Sequence, residues 1–143
     1  MSRRAFRLAS LLRLRRAQED QAAAELARAA AERLQASERA DRQRRMLAEH
    51  RIPDKGTSDA WMASVAARAA LSAASRQADA AVVDADQHVE HATAVWQGAR
   101  RDERAMERLE QRHGERVAVE QARREQLEID EHAARLHTRG EQR

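Results

Sequence analysis

The sequence predicts an all-α fold, a hairpin of two long helical arms that meet at one bend. Turn-forming residues cluster only once, in residues 51–58, which contain the single proline and one of the four glycines. Both flanks are rich in Ala, Leu, Arg, Glu and Gln, which are the strongest helix formers. Apolar residues recur along both flanks at alternating intervals of three and four, the spacing of a narrow interhelical seam.

The bend is defined by residues that a helix does not accept in its interior. Pro53 cannot donate a backbone hydrogen bond and pushes Ile52 out of helical geometry, while Gly56 tolerates a positive φ angle. Thr57, Ser58 and Asp59 offer N-caps for a second helix. We therefore expect one coiled-coil domain over residues 1–143, with a helix over about 4–50, a loop over 51–58, a helix over about 59–138 and a frayed tail over 139–143.

Composition favours a narrow seam over a wide globular core. Of 143 residues, 42% are hydrophobic but mostly alanine, only 2% are aromatic and 36% are charged. This is the composition of a long helix or a coiled coil. Intrinsic disorder is the rival interpretation, because hydropathy is low and charge is high. The near absence of Pro and Gly favours helix.

The seam can be traced along both arms, although polar residues interrupt it. If both arms are continuous, their lengths are about 70 Å and about 120 Å, so their pairing register stays open. Residues 72–75 are Ser-Ala-Ala-Ser. The second helix is therefore either continuous or kinked or broken at this segment. The predicted seam residues are Leu8, Leu12, Leu26, Val82, Val89, Trp96, Met106 and Ile129.

Charge gives little support for nucleic-acid binding. The isoelectric point is about 10.7, but the net charge is only +3, and nearly every base is arginine. Arginines alternate with acids along most of both arms, and no basic stripe is interleaved with aromatic residues. We therefore predict no specific nucleic-acid partner.

The sequence contains few residues that could form a metal site or a catalytic site. The absence of cysteine excludes disulfides and thiolate metal sites. His88 and His91 share a helix face, and Glu110 with His113 forms one Glu-x-x-His pair, whereas a carboxylate-bridged bundle site needs two such pairs with further glutamates. No phosphate-binding glycine loop or serine elbow is present. We expect no catalytic residue, metal, cofactor or small-molecule substrate, and hence no enzyme.

The start of the chain is strongly basic. Residues 1–16 contain six arginines and no acid, an arrangement that opposes the helix macrodipole. Three interpretations remain: a solvated basic end, a docking surface for an acidic protein, or a surface for lipid headgroups. Arg7 and Arg13 interrupt any apolar region of a signal peptide. The sequence also has no run of about 18 apolar residues, the length needed to span a membrane. These six arginines are Arg3, Arg4, Arg7, Arg13, Arg15 and Arg16.

Short motifs follow one another in a distinctive order along the two arms. The first arm carries Phe6-x-Leu8-x-x-Leu11-Leu12-x-Leu14-Arg15, followed by Glu19, Ala22, Leu26-Ala27 and Ala29. The second carries Trp96-x-x-Ala99-Arg100, Leu109-Glu110-x-Arg112-His113 and Asp130-Glu131-x-Ala133-Ala134-Arg135. This order, together with the length and the position of the loop, resembles the FliJ family of the flagellar type III export apparatus, and the resemblance covers essentially the whole chain.

The resemblance implies an antiparallel two-helix coiled coil like the central stalk of rotary ATPases. It implies a non-enzymatic stalk at the centre of the hexameric flagellar export ATPase, linking this ring to the membrane-embedded export-gate protein and escorting export chaperones. The protein would then be cytoplasmic and peripheral at the cytoplasmic face of the cell membrane. The alternative is an unrelated coiled-coil scaffold or a basic nucleoid-associated protein.

Two groups of binding residues follow from the same resemblance. The terminal ends of both arms are expected in the ATPase ring, which adds Asp130, Glu131 and Arg135 to the six N-terminal arginines. Surfaces nearer the bend are expected to meet the export gate. Since the sequence has no tyrosine, the residues that stand in for the family's aromatic side chains there are Met46, Leu47, Trp61 and Val65.

Overall fold

Two long α-helices joined by one connection form the computed structural model, which describes the backbone of residues 8–140 and the side chains of residues 8–135. Helix α1 spans Ala9–Glu49 and has 41 residues. Helix α2 spans Ser58–Gly140 and has 83 residues. The described residues contain no strand. The predicted fold class, an all-α antiparallel coiled-coil hairpin, is confirmed.

The connection between the helices ends in an N-cap at Thr57. Gly56 has a φ angle of 150°, which side chains other than hydrogen rarely allow. Thr57 follows, and its Oγ1 accepts a hydrogen bond from the backbone N–H of Ala60 at 3.2 Å. This bond satisfies one of the unpaired N–H groups at the start of α2. The backbone N–H of Trp61 bonds to the Thr57 carbonyl at 3.0 Å and closes the first helical turn.

The end of α1 is held by side chains of α2. The Arg68 guanidinium donates to the carbonyl oxygen of His50 at 3.2 Å, and His50 Nε2 lies 2.9 Å from the carbonyl oxygen of Ser64. Helix α1 has no basic residue in its last turn. Arg68 therefore supplies, from the neighbouring helix, the positive charge that favours a helix C-terminus.

Helix α2 runs without interruption through residues 72–75. Neither proline nor glycine occurs in this segment, so each residue keeps its backbone hydrogen bond. Ser75 is buried, with 7% of its surface exposed. A small side chain at this position allows the facing helix to come close to α2.

Contacts divide the chain into two units, of which one is Gln18–Ala99. In this unit the helices are antiparallel: Arg33 pairs with Asp86, and further along α1 Arg44 pairs with the earlier Asp79 on α2. The α1 side of the seam is built on alanines, and those buried are Ala22, Ala29, Ala36 and Ala40. Such small side chains permit close approach of the helices, but each contributes little apolar area.

The α2 side of the same unit follows a heptad pattern. Ser75, Val82, Val89 and Trp96 are seven residues apart, and each is buried or half-buried. Between them lies Ala85, which is buried. Since seven residues are close to two helical turns, these side chains stay on one face of α2. The seam of this unit therefore alternates small and larger side chains.

The other unit combines the beginning of α1 with the part of α2 from Arg100 onward. Its buried apolar side chains, among the described residues, are Leu12, which is 2% exposed, and Met106, which is 9% exposed. C-terminal to Met106, α2 becomes fully solvent-exposed: every described residue of α2 from 118 to 135 is exposed. The core of this unit is correspondingly small.

Candidate partner-binding surfaces

The eight residues predicted for the seam differ in burial. Leu12 and Met106 are buried. Two others lie at the surface: Leu8 is 41% exposed and Ile129 is 62% exposed. Apolar periodicity therefore continues along α2 past the region where α1 side chains bury it. The half-buried members are Leu26, Val82, Val89 and Trp96.

Trp96 contributes a polar contact to the seam as well as apolar area. Its indole Nε1 donates a hydrogen bond to Glu19 Oε1 at 2.7 Å. Both side chains are half-buried, and a bond from a donor to a charged carboxylate is among the stronger ones in proteins. Glu19, an acid at a seam position of α1, therefore has a hydrogen-bond partner on α2.

The N-terminal arginines are placed only in part by the structure. Arg15 Nη1 contacts Asp102 at 3.2 Å. Arg16 contacts Glu107 at 3.2 Å and Glu103 at 3.7 Å. Arg13 is exposed, whereas Arg3, Arg4 and Arg7 lie outside the described residues.

These ion pairs show that part of the basic end is neutralised within the molecule. Residues 1–16 contain no acid, but α2 provides three carboxylates that contact Arg15 and Arg16. Arg16 and its partner Glu103 have side chains that are 50% and 19% exposed, respectively, so solvent screens the pair and its net contribution is small. Arg13 is the described arginine of the cluster that stays open to a partner.

The predicted C-terminal residues lie on the exposed part of α2. Glu131 contacts Arg135 one turn later at 3.5 Å. Asp130 accepts a hydrogen bond from Gln126 at 2.9 Å. All three residues of this group, Asp130, Glu131 and Arg135, are exposed. Because all three side chains are exposed, they do not form an enclosed site.

An apolar surface, here called the bend patch, surrounds the connection. Of the four predicted residues, Met46 and Trp61 are 50% and 52% exposed, while Leu47 and Val65 are half-buried. Two further apolar side chains near the bend, not among the predicted binding residues, are Ile52 and Met62, which are 36% and 54% exposed. Large apolar side chains concentrated near one turn are typical of a protein-binding surface.

The cross-helix ion pairs were not predicted from the sequence. Arg33 with Asp86 and Arg44 with Asp79 join the two helices in the Gln18–Ala99 unit. Their signal is present in the sequence but becomes readable only once the antiparallel register is known. Each pair combines opposite charges at positions that flank the seam, which is how charged residues fix the register of coiled coils.

The two predicted histidines His88 and His91 lie in an open groove with mixed polar and apolar lining. His88 and His91 line a groove of 410 Å³ together with Glu25, Arg28 and Glu32. Among the described side chains, no group of three or more His, Cys, Asp or Glu residues has an arrangement that could hold a metal ion. Within the same part of the chain, no helix is both long and apolar enough to cross a membrane.

An antiparallel helical hairpin with charged and apolar side chains exposed along it belongs to the class of proteins that act through contacts on their surface. The family model described as Flagellar FliJ protein matches residues 4–142. The chain therefore belongs to the FliJ family and is a component of the flagellar export apparatus. Searches among curated proteins and among solved structures found no significant match.

Proposed function

We propose that this chain is a non-enzymatic stalk at the centre of the hexameric flagellar export ATPase, which links the ring to the membrane export gate and escorts export chaperones. It would act in the cytoplasm, at the cytoplasmic face of the cell membrane. The observation that carries the proposal is the family match over residues 4–142, which includes both arms and the bend.

The charged end of the hairpin supports a place inside a ring. A stalk that turns or shifts within a ring needs contacts that form and break easily, and exposed arginines satisfy this because solvent-screened ion pairs are individually weak. Arg13 is exposed on α1. Asp130, Glu131 and Arg135 are exposed on α2. The ring-binding residues proposed here are these four together with Arg3, Arg4, Arg7, Arg15 and Arg16.

The bend patch supports contact with the export gate. Binding energy at protein interfaces is concentrated in a few large side chains, among which Trp is strongly enriched. Trp61 is more than half exposed beside Met46. Leu47 and Val65 would complete the contact. Export chaperones are proposed to bind at other exposed positions, to which no residue is assigned.

The family match removes the alternative of an unrelated coiled-coil scaffold. A basic nucleoid-associated protein also finds little support in the ion pairs, because many arginines are bound to carboxylates of the same chain. Examples are Arg33 with Asp86 and Arg28 with Glu25. Such arginines would have to break these contacts before they could neutralise phosphates.

The ring proposal can be tested by measuring binding to the purified export ATPase from the same organism. Arg15 and Arg16 are left unchanged, because their contacts to α2 would confound the result. We expect reversal of three N-terminal arginines to weaken binding at least about tenfold at low salt, since exposed charges interact over about 30 Å at 0.01 M ionic strength but over only about 8 Å at 0.15 M. The test variant is Arg3→Glu, Arg4→Glu and Arg7→Glu.

A matched control carries the same change in net charge at the other end of the hairpin. Its three arginines are exposed and lie in the last part of α1 and in the connection. If the test variant binds as tightly as the wild type at low salt, the N-terminal arginines are only a solvated end. If both variants weaken binding equally, net charge rather than position decides. The control variant is Arg39→Glu, Arg45→Glu and Arg51→Glu.

A further inference from the structure

One exposed face of α2 carries arginines that form no ion pair with the other described side chains. Arg104 and Arg108 lie two residues before and after the buried Met106, so they point about 160° away from it around the helix. Arg101 and Arg112 lie five residues before and six residues after Met106, about 140° and about 120° away from it. All four are exposed. We call Arg101, Arg104, Arg108 and Arg112 the outer arginine row.

Three acids of the same segment contact arginines of α1. Asp102 contacts Arg15, and Glu103 and Glu107 contact Arg16. These three carboxylates are therefore directed at α1, whereas the arginines of the row lie on the face away from Met106.

The row differs in its neighbours from the exposed arginines that form ion pairs within one helix. Each of those arginines follows an acid by three or four residues and contacts it; examples are Arg28 with Glu25, Arg42 with Glu38, Arg124 with Glu120 and Arg135 with Glu131. No member of the row has an acid at either position.

Within the row, the side chains that lie one turn apart carry the same charge. Arg104, Arg108 and Arg112 are spaced by four residues, and like charges at this spacing destabilise a helix. Among the described side chains, the row forms no ion pair that would offset the repulsion. Gln111, rather than an arginine of the row, donates to the nearby Glu115 at 3.0 Å. The row thus costs stability and needs another reason to be present.

We propose that the outer arginine row is a docking surface for an acidic α-helix of a protein partner. A four-residue spacing on α2 corresponds to about 6 Å along the axis, and carboxylates four residues apart on a second helix repeat at the same distance. Guanidinium groups bind carboxylates through paired hydrogen bonds. The molecule already uses this chemistry where Arg15 and Arg16 bind Asp102, Glu103 and Glu107 from the neighbouring helix.

Other anionic partners fit the row less well. A helix that lies on a membrane inserts its apolar face into the lipid, but the face opposite the row contains the buried Met106. Single-stranded nucleic acid is bound by aromatic side chains that stack on bases, and the segment 100–116 contains no aromatic residue. The proposal does not depend on the role in export, because it concerns the chemistry of this face alone.

The test measures affinity for a synthetic alanine-based helical peptide with glutamate at every fourth position. Wild-type protein is compared with a variant of the row and with a control that removes four exposed arginines elsewhere, so that both variants lose the same charge. The row variant is Arg101→Gln, Arg104→Gln, Arg108→Gln and Arg112→Gln. The control is Arg13→Gln, Arg39→Gln, Arg45→Gln and Arg123→Gln.

We expect the row variant to bind the acidic peptide at least about tenfold more weakly at low salt, since four ion pairs that are each weak are lost together. The control should bind within about twofold of wild type, because single exposed ion pairs contribute little and its scattered arginines do not repeat at the spacing of the peptide's carboxylates. The row variant should also melt no lower than the wild type, because repulsion between its neighbouring arginines is removed.

Two results would overturn the proposal. Equal weakening in the row variant and the control would show that the peptide responds to net charge. Tighter binding of duplex DNA or of phosphatidylserine vesicles than of the peptide, lost selectively in the row variant, would assign the row to a different class of partner. The glutamine analogue of the peptide shows whether attraction requires carboxylates, and retained affinity for it would also count against the proposal.

Discussion

Trp96 shows how one residue can fix the register in which two helices pair. Its side chain is half-buried, and its Nε1 donates a hydrogen bond to Glu19 Oε1 at 2.7 Å. A shift of one helix by a heptad would leave the carboxylate without this donor, and a half-buried acid without a partner is costly. The buried alanines of α1 do not distinguish one pairing register from another, because each presents the same small side chain to α2.

Replacement of Trp96 should separate these two contributions. We expect Trp96→Phe to lower the free energy of unfolding by about 1 kcal/mol through the lost hydrogen bond, given the partial exposure of the pair. Trp96→Ala should cost about 2 to 3 kcal/mol, since apolar contacts are lost as well. Urea unfolding followed by circular dichroism measures both. The exposed Val95 provides a control, and a Val95→Ala cost equal to that of Trp96→Ala would contradict a specific role.

Thr57 performs a local task at the start of α2. Its hydroxyl accepts the N–H of Ala60, so we expect Thr57→Ala to cost about 1 kcal/mol. Thr57→Ser keeps the hydroxyl and should stay within about 0.5 kcal/mol of wild type. Equal stability of the alanine and serine variants, measured by urea unfolding, would show that the cap contributes nothing.

At the scale of the helices, weak contacts repeat many times. The Gln18–Ala99 unit buries alanines rather than large side chains, so each turn of the seam contributes little. Cross-helix ion pairs add selectivity more than stability, because their side chains are about half exposed and exposed pairs contribute little. Together they favour one antiparallel register over its neighbours.

The pair of Arg33 and Asp86 offers a direct measurement of this selectivity. We expect Arg33→Glu to lower the free energy of unfolding by about 1 kcal/mol at low salt, because it places two like charges across the seam. The double variant Arg33→Glu, Asp86→Arg should recover most of this loss. The coupling should shrink in 1 M salt, where charges are screened within about 3 Å. A double variant no more stable than Arg33→Glu would show that the two side chains do not interact in solution.

Much of this architecture could be predicted from the sequence because its signals are local. Pro53, Gly56 and Thr57 mark the bend by their own backbone preferences, and the helix formers on either side require no knowledge of the partner helix. Burial depends on which residues of α1 lie opposite each residue of α2. Ile129 continues the apolar pattern but is exposed, since a pattern does not reveal where the covering helix side chains end.

The binding surfaces were harder to predict for the same reason. Arg15 and Arg16 have Glu19 and Asp20 one turn later on α1, but the carboxylates of α2 that contact them could not be identified before the pairing of the helices was known. Which arginines stay open to a partner is thus a property of the pairing, not of the sequence near each residue. The exposed Trp61 could be anticipated, since it follows the bend closely and few seam positions remain there.

At the scale of the whole molecule, the proposed function assigns different partners to different parts of the hairpin. The N-terminal arginines and the exposed end of α2 are assigned to the ATPase ring. The bend patch is assigned to the export gate, where large apolar side chains near the connection are exposed. A stalk that links two partners should allow either contact to be removed without loss of the other.

We therefore expect two variants with opposite defects. Met46→Ser with Trp61→Ser should weaken binding to the purified cytoplasmic domain of the export gate at least about tenfold, because truncation of an interface tryptophan commonly costs 2 kcal/mol or more. It should bind the ATPase normally. Arg3→Glu, Arg4→Glu and Arg7→Glu should weaken ATPase binding and leave gate binding unchanged.

Each variant serves as the control for the other, and both should retain the helicity and melting temperature of the wild type. Both substituted residues of the bend patch are half exposed or more, so their replacement leaves no buried cavity. In cells, either variant should reduce motility on soft agar, and co-expression of the two as separate chains should not restore it, because one molecule must reach both partners. Restoration of motility by such co-expression would show that the two contacts are made by different molecules and that the chain is not a stalk between them.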